Sequence, residues 1–305
     1  MGHPLVSVVM PVYNAESYVG EAVESILAQT FDNFEFIILN DGSTDRSEQI
    51  LKQYQQRDRR IRIVSRENRG LIATLNEGIN CATGRYIARM DADDIALPER
   101  FSKQVEFLET HPDYVVVGSK VLLIDPEGLP ICPFSTLTEH EAIDAAHMEG
   151  KGGAICHPAS MLRRDVLQKV GGYRQEMKYA EDFDLFLRLA EVGKVANLPH
   201  ILLKYRMHAN SVGYTKRLEQ VKSGFQALKE AHHRRSLDFQ TTSMNELIIN
   251  NESDASLSKI HRVWAWQSLV GGNVKTARKH AFLALKNNLI SVDSWKVLAC
   301  AMRGY

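Results

Sequence analysis

The stretch Val6-Ser7-Val8-Val9-Met10-Pro11-Val12-Tyr13-Asn14 is an apolar run rich in β-branched residues, and the segment after it, Ala15 to Gln29, carries Val19, Val23, Ile26 and Leu27 at helical spacing. The run predicts a strand and the spacing an amphipathic helix, with Asn14 as its cap. The pattern then repeats. Strands are expected at Phe34 to Asn40, Ile61 to Val64 and Tyr86 to Met90, and helices at Ser47 to Asp58 (capped by Ser43 or Thr44), Leu71 to Cys81 and Pro98 to Thr110. Strands separated by helices of this length lie parallel in one sheet with helices on both faces, so the expected fold class is α/β with a mostly parallel central sheet.

Ligands of such sheets sit outside the carboxyl ends of the strands. Each expected end here is polar and turn-forming: Pro11 to Asn14, Asn40 to Asp45, Arg66 to Gly70, and Asp91 to Asp94. Turn chemistry explains any one of them, but four such ends on one crevice point to a ligand. The last is the densest in charge. Arg89-Met90-Asp91-Ala92-Asp93-Asp94 sets three carboxylates within four positions, and these do not all stay ionised without a cation to offset their repulsion. In extended geometry Asp91 and Asp93 point to opposite sides, so one can grip a polar group while the other holds metal. Mg2+ or Mn2+ is the expected ion, since both keep substrate phosphate oxygens in their shell. A nucleoside diphosphate is therefore the candidate ligand. The plainer alternative is a solvated acidic turn, with Asp94 capping a helix before Pro98.

At 305 residues the chain has room for one large domain with an appendage or for two domains. Lys plus Arg and Asp plus Glu are both 37, so net charge gives no reason to expect a nucleic-acid partner. Cys81, Cys132, Cys156 and Cys300 are widely spaced, which fits reduced thiols and offers no pair of zinc-ligand spacing. Neither a signal-peptide pattern nor a long enough apolar run is present, so a cytoplasmic protein is expected, with peripheral contact at the inner face of a membrane left open.

Val6 to Glu16, Asn40-Asp41-Gly42-Ser43-Thr44-Asp45, and Asp91-Ala92-Asp93-Asp94 with Pro98 and Arg100 behind it together resemble the family 2 glycosyltransferases, over the segment from Val6 to His208. The resemblance implies the GT-A fold, with a nucleotide-binding half over about 1–112 and an acceptor-binding half over about 113–213. It implies that Pro11 and Tyr13 embrace the base, that Asp41 accepts a hydrogen bond from the pyrimidine N–H, and that Asn68 and Gly70 line the nucleotide pocket. Asp91, with Ala92 beside it, would face the ribose, Asp93 would hold the metal on the diphosphate, and Asp94 would be structural. Two positions depart from the frequent pattern: Asn40 stands where many members have a first aspartate, and Leu75 where many have an arginine. The second departure removes a phosphate or base contact that Arg66 or Arg69 would have to replace. A UDP-sugar is the expected donor, with dTDP and GDP as alternatives.

Gly150 to Pro158 is Gly-rich but lacks the Lys-Ser or Lys-Thr of a phosphate-binding P-loop, and reads as an ordinary connection before a helix at Arg164 to Val170. Ala180-Glu181-Asp182-Phe183-Asp184 opens another helix, where carboxylates commonly serve the macrodipole. The resemblance instead makes Asp182 the proton acceptor and Glu181 the residue that positions the acceptor. Farther on, alternation places Arg206 and His208 on one side of a strand, and the resemblance makes His208 a metal or diphosphate ligand and Arg206 a phosphate contact. The expected activity is inverting transfer of a sugar to a hydroxyl of a cell-surface polysaccharide or lipid-linked glycan. The alternative of another class is a catalytically silent nucleotide-sugar binding or scaffold protein. A nucleotidyltransferase would carry a Gly-rich, basic loop near the start, which Pro11 to Glu16 does not supply.

The texture changes after Ser211, and the expected division is 1–213 for the transferase domain and 214–305 for a helical region. Helices are expected at Lys216 to His233, Leu257 to Leu269, Val274 to Lys286 and Ser294 to Met302, with a polar bridge over Ser236 to Ser258. Trp264, Trp266, Phe282, Leu285, Trp295 and Leu298 are the expected core of this bundle, and its Gly271-Gly272-Asn273 turn resembles part of a tetratricopeptide hairpin. A packing lid, a homodimer contact and a surface toward membrane-bound acceptor lipid are the roles it fits. Lys275, Arg278, Lys279 and Lys286 suit a membrane and ordinary solvation equally.

Overall fold

The structure is a computed structural model that describes residues 3–134, 137–209, 211–239 and 256–304. The strands are β1 (Val6–Val12), β2 (Phe34–Asp41), β3 (Ile61–Arg66), β4 (Tyr86–Arg89), β5 (Ile95–Ala96), β6 (Tyr114–Ile124), β7 (Pro130–Phe134), β8 (Met161–Arg163) and β9 (Lys194–Arg206). Between them run α1 (Val19–Leu27), α2 (Ser47–Arg57), α3 (Leu71–Cys81), α4 (Arg100–Thr110), α5 (His140–Met148), α6 (Arg164–Lys169) and α7 (Glu181–Ala190). They are followed by α8 (Val212–Thr215), α9 (Arg217–Arg234), α10 (Leu257–Val270), α11 (Val274–Asn287) and α12 (Val292–Arg303). The bridge expected at 236–258 lies outside the described residues over 240–255.

The sheet has the order β3-β2-β1-β4-β8-β6-β9-β5, with β7 paired to β6 beside this path. The expected α/β architecture is present. Its parallel part is β3-β2-β1-β4, and β8 then joins antiparallel to both β4 and β6, so the sheet is mixed. All seven residues of β1 are buried, because a strand covered on both faces has no solvent side to alternate toward. Gly78 lets α3 close on that strand: a Cβ there would stand 2.4 Å from Val9 Cγ1.

The chain divides into two compact units. The first comprises Met1–Val121, Ser135–Lys204 and Lys222–Gln240. One apolar cluster in it joins Val9, Ile37 and Leu39 of the sheet to Ile72 and Leu75 of α3 and to Phe186 and Leu189 of α7.

Its loops differ from the sequence expectation in one respect. Asn14 does not cap a helix; it takes a left-handed backbone (φ 49°), and its Oδ1 accepts the Thr44 N–H at 2.8 Å. Nor do Ser43 or Thr44 cap α2. Ser47 Oγ instead accepts the Ala15 N–H at 2.9 Å, and Asp45 Oδ1 accepts the Ser47 N–H at 2.9 Å. These short polar side chains satisfy backbone groups of the neighbouring loop and so knit the ends of β1 and β2 together.

The second unit comprises Leu122–Phe134, Tyr205–Val221 and Thr241–Tyr305. Ser256 and Ser291 cap α10 and α12, accepting the N–H groups of Lys259 and Ser294. The core between α10, α11 and α12 is built from small residues: Ala265, Ala277, Ala281, Val297 and Ala301 are fully buried. That corrects the expected aromatic core. Trp264 and Leu285 are buried and Leu298 packs at the edge of the core, but Trp266, Phe282 and Trp295 are exposed. Small side chains fill the seam between the helices, and these three rings lie outside it. A buried carboxylate anchors the unit: Asp125 accepts from Lys279 Nζ at 2.6 Å and lies 3.3 Å from His280 Nε2.

Candidate active site

The parallel register sets the site. Val12 pairs with Asn40 and Asp41 with Arg66, so the loops leaving β1, β2, β3 and β4 open on one edge of the sheet. Asp41, the last residue of β2, is 4 % exposed. Its carboxylate accepts the backbone N–H groups of Arg69 (2.8 Å) and Gly70 (3.0 Å) and is paired with the Arg66 guanidinium. Burial works against its charge, but these donors outweigh it and hold the carboxyl below the usual range. Arg66 also reaches Glu77 at 2.5 Å and Thr74 at 2.9 Å, which fixes it between the end of β3 and α3.

Gly42 is required at this turn. It has φ 72°, and a Cβ there would stand 2.6 Å from the Asn68 backbone nitrogen. A cavity of about 480 Å³ opens here, lined by Asn40, Gly42, Ser43, Ser65, Arg66 and Asn68. Tyr13 is 56 % exposed at the end of β1, whereas Pro11 is a buried strand residue; the tyrosine ring is the free flat surface of this pair. A larger cavity, about 780 Å³, lies among His3, Arg85, Asp113 and Arg163. The cations there are engaged by the fold itself, Arg163 by the carbonyls of Tyr114 and Leu108 and Arg85 by Glu109.

The acidic loop follows β4. Arg100, fully buried in α4, donates to Arg89 O at 2.7 Å and to Ser160 O at 3.1 Å, which pins the strand end. The Arg89 guanidinium pairs with Asp91. Asp91, Asp93 and Asp94 each direct a carboxylate oxygen so that all three lie within 4.8 Å of one another. Burial raises the Asp91 pKa, and the carboxylates of Asp93 and Asp182 push it the same way against Arg89. Three hard oxygen donors in a site that resists being fully ionised suit a divalent cation such as Mg2+ or Mn2+. Asp94 is buried and α4 starts at Arg100 behind Glu99, so Asp94 does not cap that helix.

Glu181 and Asp182 form the first turn of α7. The helix start is held from behind: Asp184 pairs with both Arg174 and Arg188, and Arg188 donates to Val170 O and Gly172 O at 2.7 Å each. Asn76 clamps Tyr173 through its backbone N–H (2.9 Å) and carbonyl (2.8 Å). The buried Tyr173 hydroxyl lies 2.6 Å from His157 Nε2. Burial and then the Asp182 carboxylate push the Glu181 pKa up to about 7. Burial also raises Asp182, opposed by the Phe183 N–H, which donates to it at 2.8 Å, and by Arg89. Two carboxyl groups at a helix start thus sit in the electrostatic field of the Asp91 cluster. A group that binds protons near neutrality can take a proton from a substrate and release it to water.

The structure therefore brings Asp91, Ala92, Asp93, Glu181 and Asp182 together in the first unit, with Pro11, Tyr13, Asp41, Asn68 and Gly70 along the same strand edge. His208 belongs to the second unit and lies past the end of β9, so it does not share a strand face with Arg206; its backbone N–H donates to Ser211 Oγ at 3.3 Å. Arg206 is buried and donates to Pro126 O at 3.0 Å, bracing a turn. Arg89, His157 and Tyr173 were not singled out from sequence. His157 stands in the stretch read as an ordinary connection, and only its burial against Tyr173 distinguishes it.

The model of Glycosyl transferase family 2 matches residues 7–171. The chain belongs to this family. Among family relatives, EpsE of Bacillus subtilis, named as a glycosyltransferase, is 40 % identical over 67 % of this chain and 73 % of its own length. The amylovoran biosynthesis glycosyltransferase AmsE of Erwinia amylovora is 31 % identical over 72 % of this chain and 83 % of its own. The GT-A fold expected of the family is shared with solved structures. S. aureus TarS in complex with UDP superposes with a TM-score of 0.61 over 98 % of this chain and 92 % of that one, at 16 % identity. The mannosyltransferase PcManGT from Pyrobaculum calidifontis, in complex with GDP-Man and Mn2+, superposes with a TM-score of 0.58 over 99 % and 81 %, at 17 % identity.

Proposed function

We propose that this family 2 member transfers a sugar from a nucleoside diphosphate sugar, with UDP as the nucleotide, to a hydroxyl of a polysaccharide or lipid-linked glycan, with inversion at the anomeric carbon. The observation that carries the proposal is the pair Glu181 and Asp182, raised in pKa at the start of α7 beside the Asp91 cluster. Asp182 takes the proton from the attacking hydroxyl, Glu181 positions the acceptor, and both are held by the Asp184 anchor. Tyr13 stacks on the base next to Pro11. Asp41, fixed by Arg66, accepts from the pyrimidine N–H beside Asn68 and Gly70, and Asp91 with Ala92 meets the ribose.

Asp93 would hold the divalent cation with Asp91 and Asp94 close by, and His208 is assigned a role toward the metal or the diphosphate. The bound cation supplies positive charge where the departing diphosphate gains negative charge. Direct displacement needs no covalent enzyme intermediate, and alignment of donor and acceptor contributes through proximity. UDP in TarS and Mn2+ in PcManGT support this choice of nucleotide and metal, and the amylovoran role of AmsE supports the acceptor class. The test is a thermal-shift screen of UDP, dTDP and GDP with and without Mn2+, because a ligand that binds only the native state raises the melting temperature. The reading expects the largest Mn2+-dependent shift with UDP. Shifts unaffected by Mn2+ for all three nucleotides would refute the metal assignment.

A further inference from the structure

The helices of the second unit are strongly one-sided in charge. Between Leu257 and Gly304 there are eight Lys and Arg side chains and the single carboxylate of Asp293, with Lys279 paired to Asp125 and Glu127 and with Arg262 and Lys296 paired to Asp293, in a chain whose net formal charge is zero. Their outer surface is also apolar. On α12 the exposed residues Val292, Trp295, Ala299 and Met302 follow a helical repeat and form one stripe, of which Trp295 is 54 % exposed. Leu289 and Ile290, in the connection before α12, are 67 % and 91 % exposed, and Trp295 Nε1 donates to Leu289 O at 2.9 Å, so the indole is seated against that connection.

The neighbouring helix continues the face. On α11 the exposed stripe is Lys275, Arg278, Phe282 and Lys286, and the Arg278 guanidinium donates to Ala301 O (3.0 Å) and Met302 O (3.1 Å) at the far end of α12. That contact fixes the antiparallel register, which sets Phe282 level with the middle of the α12 stripe and Lys286 level with Trp295. The result is a band of Trp, Phe, Ile and Leu side chains flanked by cations.

We infer that this face of α11 and α12 is a peripheral membrane-binding surface that inserts Phe282, Ile290 and Trp295 at an anionic bilayer, with Lys275 and Lys286 over the lipid phosphates. Two observations favour this occupant. The cations call for an anionic partner. The aliphatic side chains at 289, 290 and 292 gain from an acyl boundary and gain nothing from a nucleic-acid backbone, while Trp and basic stems suit the interface between the two. The inference does not rest on the proposed transferase chemistry, and its residues are separate from those of the acid cluster.

The test is flotation of the full-length chain with vesicles of phosphatidylcholine alone and with about a third phosphatidylglycerol. The chain is expected to float with the anionic vesicles, to stay behind with the neutral ones, and to be released by high salt. Each of K275Q and K286Q is expected to weaken binding about fivefold, and F282S with W295S to abolish it, all with unchanged melting temperature and unchanged nucleotide-induced thermal shift. Failure to float, or flotation indifferent to lipid charge and to these variants, overturns the inference. Lipid-independent self-association abolished by W295S, seen in sedimentation equilibrium, would make the face a contact between copies of the chain. Retention by an oligonucleotide without flotation would assign the cations to nucleic acid. Either result also overturns it.

Discussion

Arg66 and Asp41 form an ion pair across the carboxyl ends of β3 and β2, with 12 % and 6 % of their side chains exposed. The pair joins a carboxylate assigned to the nucleotide base with an arginine that also grips Glu77 and Thr74 of α3. Leu75, buried in the same helix, stands where the family resemblance leads one to expect an arginine. We propose that Arg66, from a strand end, supplies the guanidinium on this side of the pocket.

Arg66→Met should loosen Asp41 without touching α7. Breaking one partner of a buried pair costs about 3 kcal/mol of stability. The donor KM should rise at least about tenfold with a smaller change in kcat, since only ground-state and transition-state binding of the nucleotide is altered equally. Steady-state kinetics with the donor varied checks this, and an unchanged KM would remove Arg66 from the donor site.

The acid limb of the rate profile should lie above the ordinary carboxylate range. A proton acceptor works only when ionised, and burial raises both Glu181, to about 7, and Asp182. Activity should thus fall with acid at a pH above the range of an ordinary carboxylate, where Asp182 takes up its proton. Glu181→Gln removes one of the two interacting carboxylates and should shift the limb to lower pH. A limb near pH 4 in the wild type would contradict the raised pair.

The second unit should be acid-labile in two steps. Burial lowers His261, with His280 and Lys279 adding to it, from the ordinary 6.5 to about 4; the unfolded chain then binds more protons between these values, so stability declines as pH falls from 6.5 toward 4. Asp125 is held down to about 2: burial opposes its charge, but His280, Lys279 and the Leu129 N–H outweigh it. Its contribution is complete above the ordinary aspartate value of 3.8 and is lost as pH falls toward 2, at most about 2 kcal/mol in size. Asp125→Asn should abolish the second step, followed by helical circular dichroism.

Asp93→Asn should remove the Mn2+-dependent part of the UDP thermal shift and leave a metal-independent remainder from Tyr13 and Asp41. Equal shifts in variant and wild type would take Asp93 out of the metal site.

The fold was legible wherever strand and helix alternate. β1 through α3 lie within a few residues of their expected spans because a strand buried on both faces is a plain apolar run, and α3 matches at both ends. β6, β7 and α5 were not anticipated. β6 pairs with β8 and β9, distant in sequence, and leads into β7 instead of a helix, and α5 buries only Ile143, Ala146 and His147 of its nine residues, too narrow a stripe to signal a period. The carboxylates of the site stood out by their density. Arg89, Tyr173 and His157 did not, because their meaning lies in contacts made at long range, such as the Asn76 clamp on Tyr173 across 97 positions. In the last helices the sequence reading favoured the large rings for the core, whereas Ala277, Ala281 and Ala301 fill it.

The central claim is that Asp182 accepts the proton in sugar transfer, and paired calorimetry and turnover of Asp182→Asn test it most directly. With UDP and Mn2+ the variant should bind within about twofold of wild type, while transfer to an acceptor on which the wild type is active falls by about 10² to 10⁴. Wild-type turnover in the variant on that acceptor would contradict the account.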